Sequence, residues 1–117
     1  MNILDKLFGK KVAVQGDKKL AAMSQFIKGQ IAVTGVNETR RRVIKSIEDD
    51  CLKVSKKHLK VNRDCTLAEI MQDELIQTAL KTPAYMDMLK ALGMNSDHIE
   101  TLARQQWLKA KKEGAYK

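Results

Sequence analysis

After Asn37 the chain runs well past residue 60 without a proline or a glycine, and Pro83 is its only proline. Proline lacks the backbone N–H a helix needs, and glycine costs a helix interior about 1 kcal/mol relative to alanine. A stretch free of both is where an uninterrupted helix forms most readily. The available core points the same way. Aromatic residues make up 4% of the chain, so Leu, Ile, Val, Ala and six Met must fill the interior, a mix that suits packed helices better than a sheet sandwich. At 117 residues, with 44% hydrophobic and 31% charged residues, the chain has the length and balance of one globular domain. The expectation is an all-α, single-domain bundle over residues 1–117, made of five or six short-linked helices.

Local signals place the elements. Residues 2–8 read as a short amphipathic helix with Ile3, Leu4, Leu7 and Phe8 on one side, ended by Gly9 and two lysines. Residues 1–11 are therefore expected to be separable from the rest. "VAVQG" and "IAVTG", at 12–16 and 31–35, admit two readings: brief strands flanking a helix, or the second simply extending a helix that starts near residue 18. Leu20, Met23, Ile27 and Ile31 keep helical spacing and favour the latter. Asn37 is the candidate N-cap of the long helix, whose seam would be Ile44, Ile47, Cys51, Val54, His58 and Val61. Thr66 with Glu69 is a capping box that opens a helix from 67 to about 81. Thr82-Pro83 starts the next, with Tyr85, Met88, Leu89 and Leu92 inward, and Gly93 stops it as a left-handed C′ residue. Ser96 or Asp97 would cap the last helix, with Ile99, Leu102, Ala103, Trp107 and Ala110 inward and a frayed tail from 114 to 117.

Charge narrows the partners. The formal net charge is +8, and residues 1–65 carry it, with 15 Lys/Arg against 7 Asp/Glu. Such a balance favours an acidic partner: nucleic acid, an anionic membrane surface or an acidic protein. Arg40, Arg41 and Arg42 fall near a helix N-terminus, where the macrodipole is already positive. Charge placed against the local field points to an anionic ligand. With Lys45, Lys56 and Lys57 they form a candidate anion- or nucleic-acid-binding strip, interrupted by Glu48, Asp49 and Asp50. A solvated face with no ligand is the alternative.

Residues 89–114 resemble a helix-turn-helix over roughly twenty residues. Gly93 supplies the turn, and Ile99 and Leu102 lie six and nine residues beyond it. His98, Thr101, Arg104 and Gln105 would then be candidates to read base edges. The pattern departs from the motif at Leu89, where a small residue usually packs, and at Asp97 and Glu100, which would face phosphates. The closing helices of an ordinary bundle give much the same pattern.

Other chemistry finds little support. Cys51, His58 and Cys65 are spaced by seven, about 10.5 Å along a helix, too far apart to share one zinc ion. No Gly-rich phosphate loop and no nucleophile–base motif stands out, so no metal, cofactor or catalytic residue is expected. Two cysteines suit a reducing compartment. "MNILDKLFGKK" lacks the apolar stretch of a signal peptide, and no apolar run approaches a membrane span, so a cytoplasmic location is expected. The resulting reading is a non-catalytic interaction or adaptor module that docks another protein or a second copy of itself. A nucleic-acid-binding protein is the alternative, and residues 2–11 offer at most weak membrane contact.

Overall fold

The computed structural model describes residues 12–114, with side chains from residue 18 onward. The order is α1 (Val12–Thr34), α2 (Val36–Val61), α3 (Leu67–Met71), α4 (Glu74–Lys81), α5 (Pro83–Ala91) and α6 (Ser96–Lys112). No strand occurs among the described residues. Both candidate strands are helical: 12–16 opens α1 and 31–34 closes it. Separability of residues 1–11, the helix at 2–8 and the frayed tail fall on or partly on residues outside this description.

A single residue, Gly35, separates α1 from α2. Its φ of 97° lies in the region that favours glycine, and it occupies the N-cap of α2 with no side-chain cap. The helix therefore starts one residue before the expected cap. Asn37 instead accepts a hydrogen bond from Arg40 Nη2 at 3.1 Å. Without proline or glycine, α2 continues for 26 residues.

The seam of α2 is rotated from the expected one. Ile47, Cys51 and Val54 are buried, but Val61 is 87% exposed and Ile44 and His58 are half-buried. Val43, Ser46, Asp50, Ser55 and Leu59 are buried as well. A helix lying among several neighbours buries a wide arc rather than a stripe, so polar residues are drawn inward with the apolar ones.

The stretch 67–81 is two helices. Thr66 accepts from the Glu69 amide at 3.3 Å, but α3 ends after five residues. Asp73 then caps α4, accepting from the Leu75 amide at 3.0 Å. Thr82 precedes Pro83 at the cap position of α5, though its hydroxyl donates back to the Thr78 carbonyl at 2.7 Å instead of capping forward. Gly93, at φ 74°, ends α5 as expected: the Met94 amide donates to the Leu89 carbonyl at 2.8 Å and the Gly93 amide to Lys90 at 3.0 Å. Asn95, not Ser96 or Asp97, caps α6. It accepts from the Asp97 amide at 2.9 Å, while His98 Nδ1 accepts from the Asn95 amide at 3.2 Å.

The core gathers Leu20, Ile47, Leu59, Ile70, Tyr85, Met88, Leu89, Leu92 and Ile99, with further buried residues from every helix. All four residues expected inward on α5 or just after it are fully buried; Met88 and Met94 belong to the core, and Met71 and Met86 pack against it. The most extensive helix contact is α2 with α6, followed by α1 with α5.

Candidate nucleic-acid interface

Helical spacing sorts the charges of α2 onto separate faces. Arg42, Lys45, Asp49, Lys53, Lys56 and Lys60 follow at intervals of three, four, four, three and four, so they lie along one ridge. The five cations are exposed and Asp49 is half-buried. Eighteen residues at 1.5 Å each give a ridge roughly 27 Å long. The acidic interruption expected at 48–50 largely disappears in three dimensions. Asp50 turns into the core at 5% exposure, and Glu48 is half-buried on another face, leaving Asp49 alone among the cations.

Two weak ion pairs occupy the N-terminal part of the ridge. Lys45 Nζ lies 3.6 Å from Asp49, and Arg42 Nε lies 3.3 Å from Glu38. Exposed i,i+4 pairs of this kind contribute about 0.3–0.5 kcal/mol each, so an incoming phosphate displaces them at little cost. Among the described residues, the side chains of Lys53, Lys56 and Lys60 form no ion pair or hydrogen bond. Of these, Lys60 stands in the last turn of α2, where the helix dipole favours positive charge.

The expected anion-binding residues thus divide. Arg42, Lys45 and Lys56 share the ridge. Arg41 is exposed on a different face, with Nη1 4.0 Å from Glu38. Arg40 is half-buried and its Nη1 donates to the Leu92 carbonyl at 3.4 Å, across to the end of α5. Lys57 lies beside the ridge and reaches Asp73 Oδ2 at 2.7 Å. Lys53 and Lys60, which were not among the candidate anion-binding residues, join the ridge; the three-four spacing from Arg42 is the signal that marks them.

Asp73 was also missed, because its role depends on two helices meeting. It is 4% exposed at the side chain, and Oδ2 accepts from both Lys57 Nζ and His58 Nε2, the latter at 2.8 Å. Burial acts to raise its pKa, but the hydrogen bonds from Lys57, His58 and the Leu75 amide outweigh that, and the carboxyl lies below its usual 3.8. This cluster ties the α3–α4 junction to α2. The cysteines are both buried and free. Burial, with Asp50 and Glu48 nearby, pushes the Cys51 thiol up to about 12.

The candidate base-reading residues stand on α6. His98, Thr101, Arg104 and Gln105 are all exposed. His98 and Thr101 border a surface depression of about 170 Å³ with Ile44, Met94, Asp97 and Leu102, and His98 is engaged in the N-terminal cap. His98, Thr101 and Gln105 share one face by their spacing, whereas Arg104 lies on the flank carrying Asp97 and Glu100. A helix-turn-helix needs its two helices locked against each other. Here α5 and α6 scarcely touch: α5 packs on α1, and α6 lies along α2 and α3. At its far end α6 is pinned by Trp107, whose Nε1 donates to the Cys65 carbonyl at 3.2 Å, with Lys111 Nζ 4.9 Å above the ring centroid. The apolar residues after Gly93 serve α2, which is why the spacing mimics the motif without its packing.

No helix among the described residues is long and apolar enough to cross a membrane. Comparison with protein-family models, curated proteins and solved structures found no match for this chain.

Proposed function

We propose that this protein is a non-catalytic helical interaction module, and that the partner its geometry fits best is a nucleic acid held by its phosphate backbone. The ridge on α2 is the observation that supports this: five cations in one line about 27 Å long, with one acidic residue among them. A duplex carries one negative charge per roughly 1.7 Å of axis, so a basic ridge of this length lies in a strongly attractive phosphate field. An acidic protein would have to present its carboxylates in a matching row. Base reading is not part of the proposal, because α6 is packed along α2 and Arg104 sits among acidic neighbours. Contacts of this type position a protein on a duplex and carry no sequence information.

The test is titration of a labelled mixed-sequence duplex, followed by fluorescence anisotropy. Changing Lys53, Lys56 and Lys60 together to Ala should weaken binding by at least tenfold at low salt, while Arg104→Ala leaves both affinity and sequence preference unchanged. Equal affinity of the triple variant and the unaltered protein would refute the ridge as the binding face.

A further inference from the structure

We infer that the nucleic-acid face is two helices wide: Lys109 and Lys112 of α6 form a second basic row beside Lys56 and Lys60 of α2, and this width favours a duplex over a single strand. The inference rests on the nucleic-acid reading of the ridge and extends it to a second helix. On α6, Ile99, Ala103, Gln106 and Ala110 are buried. His98, Thr101, Gln105, Lys109 and Lys112 follow at intervals of three, four, four and three, so they lie along one line, and all five are exposed.

Contacts at the two ends of α6 set its direction. Near its start, Asp97, His98, Thr101 and Leu102 line a depression with Ile44, from the early part of α2. Near its end, Trp107 Nε1 reaches the Cys65 carbonyl, just beyond the end of α2. The two helices therefore point the same way. Ile44 sits on the surface of α2 between the buried Ile47 and the exposed Lys45, so the depression opens toward the ridge. The exposed line of α6 borders that depression with His98 and Thr101, which brings it to the same side of the layer. Position along the axis agrees. Lys56 and Lys60 lie roughly 18 and 24 Å along α2 from Ile44, and Lys109 and Lys112 roughly 17 and 21 Å along α6 from His98. The acid nearest the second row in sequence is Glu113, the C-cap of α6, whereas Asp97 and Glu100 lie near the start of that helix.

Packed helices stand about 8–10 Å apart, so the four cations at this end form two rows rather than one line. A single strand presents one line of phosphates, which fills one row at a time. A duplex presents two lines and can occupy both rows at once. Single strands also draw much of their binding energy from bases stacked on aromatic rings. On this face they find none. Helix α2 has no Phe, Tyr or Trp, and Trp107 of α6 is half-buried, bonded to Cys65 and covered by Lys111.

Fluorescence anisotropy at low salt, with a labelled duplex of about 20 base pairs and with one of its strands alone, tests the proposal on the full chain. The unaltered protein should bind the duplex about tenfold more tightly than the strand. Lys109→Ala and Lys112→Ala together should weaken duplex binding about fivefold or more, and single-strand binding less than about twofold. Lys81→Ala with Lys90→Ala removes the same charge from α4 and α5 and should change neither by more than about twofold. All four lysines are exposed, so these variants fold, which circular dichroism checks. Duplex binding that ignores Lys109 and Lys112 yet drops for the Lys53, Lys56 and Lys60 variant overturns the second row and leaves the ridge standing. Indifference to all of these changes, or no binding at all, overturns both. An equal loss on the two probes overturns the preference for a duplex. An equal loss from the Lys81 and Lys90 variant shows that net charge alone acts, and overturns the second row.

Discussion

Arg40 Nη1 lies 3.4 Å from the carbonyl oxygen of Leu92, a contact between residues 52 apart in sequence. The carbonyls at a helix C-terminus lack intrahelical partners and carry partial negative charge, so a guanidinium placed there is favoured twice. Arg40 is thereby a clamp between the start of α2 and the end of α5, while Arg41 and Arg42 remain at the surface. Arg40→Ala is expected to lower stability by about 1 kcal/mol, and Arg41→Ala and Arg42→Ala to stay within about 0.5 kcal/mol. Urea denaturation of the three variants checks this, and equal effects would show that the clamp contributes nothing.

The Asp73 cluster sets a pH dependence. Because the folded carboxyl titrates below 3.8, the unfolded chain takes up the proton first as pH falls. The stabilisation is complete at pH values above the unfolded value and drains away as pH drops through the lower folded one. Asp73→Ala should cost about 2 kcal/mol at neutral pH, through the lost cap and the hydrogen bonds of Lys57 and His58. The difference from the unaltered protein should narrow below pH 4 in acid-dependent denaturation curves. A gap that stays constant from pH 7 to pH 3 would show that the carboxylate charge is irrelevant.

Leu59 and Val61 separate the observed face of α2 from the expected one. Leu59 is fully buried and Val61 is 87% exposed. Leu59→Ala should cost about 2–5 kcal/mol and Val61→Ala less than about 0.5 kcal/mol. Thermal denaturation giving the reverse order would restore the seam ending at Val61.

What the sequence made legible follows from where each determinant resides. Elements governed by their own residues were readable: Gly93 stops α5, Thr66 caps α3, and Tyr85, Met88, Leu89 and Leu92 keep one face. Features decided by neighbouring helices were not. The rotation of α2 depends on what lies beside Ser55 and Leu59, and the burial and pairing of Asp73 depend on Lys57 and His58 reaching it from α2. The candidate site divides in the same way. A basic strip was readable, but the inward turn of Asp50 and the clamp by Arg40 require a three-dimensional packing that local spacing does not encode.

Cys51 provides a test of the interior around Asp50. With its thiol buried and pushed up to about 12, it should not react with a disulfide reagent at pH 8 in the native protein. Both cysteines should react once the chain is unfolded in guanidinium. Rapid native labelling of Cys51 would mean that the packing between α2 and its neighbours opens readily.

The salt dependence of duplex binding bears most directly on the ridge. Each phosphate neutralised contributes about −0.9 to the slope of log affinity against log salt, so four or five ridge cations should give a slope near −4. Removing Lys53, Lys56 and Lys60 should reduce its magnitude by about 2–3, whereas Arg40→Ala should leave it unchanged. A flat salt profile, or a slope that the triple variant preserves, would contradict the assignment of α2 as the nucleic-acid-binding face.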